Sequence, residues 1–166
     1  MKPRKVLPAI LLLCLVCLQQ GFAQGGFATP VKDIEGKLNV RVRVQEGNER
    51  MKSVEVILYH DSEKLGRYEE VQRITSKKNG EFSFHLDLNS KYLIEINKGG
   101  YTTKKLAFNT DVFNSTTTTV PHFDLIVDML PNRDGLGYLK PVASVFYNVA
   151  KKKFDFTTDL TKEEIK

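Results

Sequence analysis

No tryptophan occurs in the 166 residues, and the two cysteines, Cys14 and Cys17, both stand near the N-terminus. Everything after them is free of thiols, which excludes a disulfide framework and a cysteine nucleophile from that part of the chain. Also missing are a G-x-S-x-G nucleophile elbow, an internal repeat, and any long run of apolar residues at helical spacing after the first segment. The chain does hold 41% hydrophobic residues, with ten Phe and six Tyr, which is too rich for a wholly disordered polymer. Its length suits one domain with a real core.

The formal charge of +5 raises the question of nucleic acid, so the position of the basic residues matters. Lys2, Arg4 and Lys5 precede an almost unbroken apolar run from Val6 to Leu18, and Gly21-Phe22-Ala23 follows. Residues 1–23 read as a secretory signal peptide cleaved after Ala23, with an apolar run too short to span a bilayer comfortably. The C-x-x-C of Cys14 and Cys17 lies inside that run and is expected to leave with it rather than serve redox or zinc chemistry. Leu13 and Val16 precede the two cysteines where a lipoprotein signal needs a small residue, so lipidation is not expected. Removing residues 1–23, which carry three of the 25 basic residues and none of the 20 acidic ones, leaves 143 residues at a formal charge of +2. That is an ordinary surface balance, and the reading is of no nucleic-acid partner and no membrane span after cleavage.

Residues 24–33 have no clear pattern, and after them period-two alternation recurs along the chain. Leu38, Val40, Val42 and Val44 alternate with Asn39, Arg41 and Arg43, as on a strand with one buried and one wet face. Val54–Tyr59 is a candidate central strand, and Tyr68–Ser76 a weaker one. Asn79-Gly80 predicts a tight hairpin turn leading into Phe82, Phe84, Leu86 and Leu88. Tyr92, Ile94 and Ile96 follow, and then Lys-rich Tyr101–Phe108, which suits a sheet edge. Asn109–Thr119 is polar and is read as a loop or the start of a strand. Phe123–Met129, Val145–Val149 and a short piece at Phe154 and Phe156 complete the pattern. Thr161 and Glu164 have capping-box spacing, with room for one helical turn at most. Several short strands at regular spacing predict an all-β fold, an antiparallel β-sandwich.

Four stretches resemble the carboxypeptidase regulatory-like domain family: Gly36-Lys37-Leu38, Val54–Leu58, Thr75 through Asn79-Gly80-Glu81-Phe82, and Tyr92-Leu93-Ile94-Glu95-Ile96 into Lys98-Gly99-Gly100-Tyr101. The resemblance covers residues 34–109 and implies a transthyretin-like (prealbumin-like) sandwich. Residues 110–166 then read as a C-terminal extension of two or three strands. The charged segment Gln45–Lys52 departs from the short loop usual in that family. The resemblance further implies a secreted protein of the bacterial periplasm or outer membrane, of the kind found in gliding, type IX-secreting bacteria.

Candidate chemistry is sparse. His60-Asp61-Ser62-Glu63 has the H-x-x-E spacing of zinc carboxypeptidases, yet only His85 and His122 remain as further imidazole ligands, each on a different predicted strand. The family resembled is the accessory domain of those enzymes, which carries no zinc. A transthyretin-like hydrolase of 5-hydroxyisourate is marked by a C-terminal Tyr-Arg-Gly-Ser, and Lys162–Lys166 lacks it. Asp128, Asn132 and Asp134 before Gly135 offer oxygen ligands but not the order of a calcium loop, so a solvated turn is favoured. The expectation is of no catalytic residue, no cofactor and no metal. Function is expected to be non-catalytic docking on another envelope protein, with carbohydrate binding as the alternative. Tyr59, Tyr101, Lys151, Lys152 and Lys153 are the candidate contacts for either partner, because exposed aromatic rings and basic turns recognise proteins and sugars alike. Tyr68 and Tyr147 join them only if the fold exposes them on one face.

Overall fold

The computed structural model describes residues 36–62, 66–112, 122–133 and 135–164. The leader assigned to 1–23, the segment 24–33 and most of the polar stretch Asn109–Thr119 lie outside the described residues. Among those described there are twelve strands and no helix. Alternation decides this: at period two each strand presents one apolar row, and the rows face one another.

β1 (Lys37–Glu46) and β5 (Glu81–Asp87) pair antiparallel, Val40 opposite Phe84 and Val42 opposite Phe82. β2 (Glu49–Arg50) folds back on the end of β1, so the charged departure at Gln45–Lys52 is a small hairpin. β8 (His122–Asp128) lies along the other side of β1 in parallel, and completes a four-stranded sheet. The larger sheet runs β11-β10-β7-β6-β3-β4. Its strands are β3 (Glu55–Ser62), β4 (Arg67–Thr75), β6 (Lys91–Asn97), β7 (Lys104–Asn109), β10 (Ala143–Asn148) and β11 (Lys153–Thr158). β9 (Leu136–Tyr138) and β12 (Lys162–Glu164) form a separate two-stranded ladder. Antiparallel ladders dominate, and β1–β8 and β7–β10 are the parallel pairings.

The expected all-β sandwich is what the chain forms. Leu38, Val40, Val42 and Val44 from β1 are fully buried against Val56, Ile94, Ile96, Leu106 and Phe108 of the larger sheet. Edge-to-face contacts tie the two sheets: Phe108 with Phe123, and Phe123 with Phe156, each pair at 6.0 Å between ring centroids. Each fully buried aliphatic or aromatic side chain contributes about 1.5–3 kcal/mol, so this layer dominates the favourable side of folding.

Four local expectations change. Asn79-Gly80 does not join a hairpin: β4 pairs with β3 and β5 with β1, and the turn carries the chain from one sheet to the other. Only Gly80 has positive φ (72°), and Gly80 N donates to Lys77 O at 2.9 Å. Asn79 instead holds Glu81 through its side chain, Nδ2 donating to Oε2 at 2.8 Å. β7 is not an edge, because β10 lies along it from Leu106 to Phe108. Its Lys104 is buried, and the ammonium escapes the core by donating to the carbonyl of Asp128 and lying 5.6 Å from the Tyr138 ring centre. Residues 162–164 form β12 rather than a helical turn, since pairing with β9 satisfies backbone groups that one turn leaves open. Among the described residues the C-terminal strands number five, from β8 to β12, and three of them are not a simple append: β8 enters the smaller sheet, and β10 and β11 extend the larger, while β9 meets β12.

Candidate functional site

The sandwich has two ends. At the upper one β1 and β6 begin and β3 and β7 finish; at the lower one β1 finishes beside the β6–β7 turn. The five sequence-derived contact residues do not gather at either.

Tyr59 stands on the outer face of the larger sheet, one strand in from its β4 edge, opposite Leu93 on β6 and Glu70 on β4. Partial burial raises its phenol pKa, and the Glu95 and Glu70 carboxylates push the same way. Tyr101 is at the lower end, where Gly100 turns the chain at φ 82°. Its hydroxyl donates to Glu46 Oε2 at 2.6 Å, and that bond to a carboxylate is the main reason its pKa is raised. Lys151, Lys152 and Lys153 occupy the β10–β11 hairpin at the upper end, all exposed, with Lys152 at φ 52°. Lys151 Nζ is 2.6 Å from Asp155 Oδ2, so one of the three is committed to its own hairpin. Tyr147 packs inward on Phe154, and Tyr68 lies on β4 at the sheet edge, so the tyrosines form no common platform.

The metal motifs resolve into structure. His60 lies against Tyr92, ring centroids 5.0 Å apart, while Glu63 lies outside the described residues. Asp128 Oδ1 accepts from Gly47 N at 2.7 Å and Asn132 Oδ1 from Gly135 N at 3.0 Å, which are turn contacts; Asp134 is outside the described residues. Among the described residues no group of three or more His, Cys, Asp or Glu side chains converges, and no helix is long and apolar enough to cross a membrane.

A concave site does form at the upper end. It encloses about 350 Å³ between the end of β3 (His60, Asp61, Ser62), the β5–β6 turn (Asn89, Ser90, Lys91) and Asp111 after β7. Thr110, fully buried, braces the corner: Oγ1 shares its one proton between the carbonyls of Asp87 and Ser90, 2.7 and 2.8 Å away, and accepts from Ser90 N at 2.9 Å. Backbone bonds Asn89 N to Thr110 O and Thr110 N to Ser90 O close the same corner. Asn89 is exposed at φ 57°, and its Oδ1 accepts from Val112 N at 3.2 Å, a bond that does not use its amide NH2. Below His60, the Tyr92 hydroxyl accepts from Asp87 N and faces Asp87 Oδ2 at 3.4 Å, so the aromatic base is fixed too.

Of this site the sequence had flagged only His60, and for a metal. Asn89, Ser90, Lys91 and Asp111 are polar residues at strand ends, which any turn contains. No short-range pattern pairs Asp61 with Asp111, fifty positions on; the β3–β6–β7 register brings them together.

No family model matches the chain, and no curated protein matches it. Solved structures show partial likeness to the chain. The Bacillus anthracis TIE protein overlaps 56% of this chain and 17% of its own at 19% identity and TM-score 0.43. Wild-type Acinetobacter radioresistens catechol 1,2 dioxygenase overlaps 60% of this chain and 53% of its own at 12% identity and TM-score 0.41. The group B streptococcus pilus 2b backbone protein overlaps 58% and 42% at 10% identity and TM-score 0.37. The chain thus spans from about a sixth to about half of these proteins, and the likenesses carry no argument about activity.

Proposed function

We propose that this chain is a non-catalytic interaction module of a bacterial cell envelope, built on a regulatory-like, transthyretin-like sandwich, that docks on another envelope protein after its leader is removed. The observation that carries the reading is the row Tyr59, Leu93 and Ala107 on the outer face of the larger sheet, in register across β3, β6 and β7. Beside it lie the ion pairs of Arg73 with Glu55 and Glu70 and of Lys105 with Glu95. An apolar strip with an aromatic ring at one end, inside a polar rim, is the anatomy of a modest protein interface. Tyr59 is its anchor; Tyr101 and the lysine turn, at opposite ends of the sandwich, lie outside it.

Affinity capture from envelope fractions tests this, with the wild-type protein beside Tyr59→Ala. A specific protein recovered by the first and lost with the second is the expected result. Repeated captures that return the same set with both proteins reject the docking face. A second reading, carbohydrate binding, is favoured by one feature only: the polar concavity at the upper end, whose lining mixes hydrogen-bond donors and acceptors.

A further inference from the structure

The upper-end concavity is braced from below by Thr110, and its rim carries charged side chains of both signs. Elsewhere on both sheets the charged side chains are largely paired: Lys37 with Asp87, Arg41 with Asp124, Arg73 with two glutamates, Lys151 with Asp155. Around this hollow, Asp61, Lys91 and Asp111 make no side-chain hydrogen bond or ion pair among the described residues. Two carboxylates therefore stand ready to accept, and an ammonium and the Asn89 amide to donate.

Three ligand classes compete for such a lining. A bare cation wants several converging oxygens, and Lys91 repels it; an anion meets two carboxylates. A neutral polyol meets neither objection, since each hydroxyl both donates and accepts. Vicinal hydroxyls suit a carboxylate, while ring and hydroxyl oxygens suit Lys91 and Asn89. The His60 ring, tilted at 51° against Tyr92 and lining the hollow, adds an aromatic group that a pyranose can contact. A hollow of about 350 Å³ is at the small end of ligand sites, which run from about 300 to 1,000 Å³, and so suits one or two sugar units rather than a long chain.

We propose that the corner formed by His60, Asp61, Asn89, Ser90, Lys91 and Asp111 binds a neutral saccharide, with Asp61 and Asp111 accepting hydroxyl hydrogens and Lys91 donating to sugar oxygen. This rests on the carbohydrate reading above and gives it a place. Pre-organisation is its physical advantage: Thr110 and Asn89 hold the turn before any ligand arrives, so little ordering cost is added on binding.

The test is a ¹⁵N-resolved NMR titration of the purified protein with the methyl glycosides of glucose, galactose, mannose and N-acetylglucosamine. Glucuronate and ethanolamine serve as charged probes. Saturable shifts from at least one methyl glycoside, centred on the amides of residues 60–62, 89–91 and 111, are expected. Asp61→Asn and Asp111→Asn should each weaken that binding about tenfold, the loss of one hydrogen bond to a charged group, with Lys151→Ala unchanged. The same spectra report whether each variant is folded. Saturable glycoside binding that maps elsewhere, or is indifferent to both Asn variants, overturns the site and leaves the carbohydrate reading standing. Binding of ethanolamine or glucuronate at this corner without the glycosides overturns the neutral-sugar assignment. Failure of every glycoside to bind anywhere overturns the site together with the carbohydrate reading.

Discussion

Arg43 Nη2 donates to Glu81 Oε1 at 3.0 Å, and both side chains are almost wholly buried although they lie on the outer face of the smaller sheet, directly opposite one another on β1 and β5. Two charges withdrawn from water cost several kcal/mol each, and their attraction offsets this only with well-made hydrogen bonds. Asn79 contributes one of those bonds to Glu81. Removing one partner strands the other: Arg43→Met or Glu81→Leu alone is expected to destabilise by about 3–5 kcal/mol, and the double variant by less than either. Urea unfolding of the four proteins in a double-mutant cycle measures this, and simple additivity would show that the two charges are not coupled.

Gly80 is replaceable by nothing larger. A Cβ there would lie 2.5 Å from the Val44 carbonyl oxygen and 3.1 Å from the Met51 backbone nitrogen, at φ 72°. Both the clash and the left-handed backbone oppose Gly80→Ala, with an expected cost of about 3 kcal/mol or more. Gly100→Ala is the control, since φ is 82° but nothing lies within 4 Å of the added carbon; about 1 kcal/mol is expected there. Equal thermal shifts for the two variants would contradict the close approach.

Phe123 and Phe156 touch, yet they differ in burial: Phe123 is 6% exposed and Phe156 43%. Phe123→Ala opens a cavity between the sheets and should cost about 3–5 kcal/mol, whereas Phe156→Ala loses part of an edge contact worth about 0.5–1.5 kcal/mol. Denaturant midpoints at unchanged slope would establish that order.

Asp155 is held below the ordinary carboxylate range, first by the hydrogen bond from Lys151 and then by the Phe156 backbone N–H. A carboxyl with a lowered folded pKa stabilises the fold above its unfolded value, and that contribution fades as pH falls through the folded value. Lys151→Ala should therefore move the Asp155 titration upward, toward the free carboxyl. Carbon-detected NMR of the side-chain carboxyl reads this directly, and an unmoved titration would assign the effect to the backbone bond alone.

How much was legible follows from the range of each signal. Alternation is local, so β1, β5, β6, β8 and β10 could be placed within a residue or two from Leu38, Phe84, Ile94, Phe123 and Val145, and β3 within three, since it runs past Tyr59 to Ser62. Partner choice is not local. Lys104 and Lys105 made β7 read as an edge, because the sequence does not say that β10 will lie along it or that Asp128 will receive an ammonium. Asn79-Gly80 has hairpin chemistry, but the same turn can bridge two sheets, and only the burial of Phe82 against the far layer decides between them. The concavity was least visible: His60 drew notice only for a metal, while Asn89 and Asp111 look like ordinary turn residues until Thr110 joins their loops.

β1 lies between a strand ending at Asp87 and another ending at Asp128, and β7 waits for β10, which begins at Ala143. Synthesised or threaded N-terminus first, the chain cannot close either sheet until its last third has emerged. β1, the first described strand, lies inside the smaller sheet, and the late strands β8 and β11 lie at the borders of the two sheets. Long loop closures of this kind slow folding relative to hairpin-by-hairpin assembly. The last third of the chain is thus needed by both sheets: cut before His122, β1 and β7 would each keep an unpaired edge.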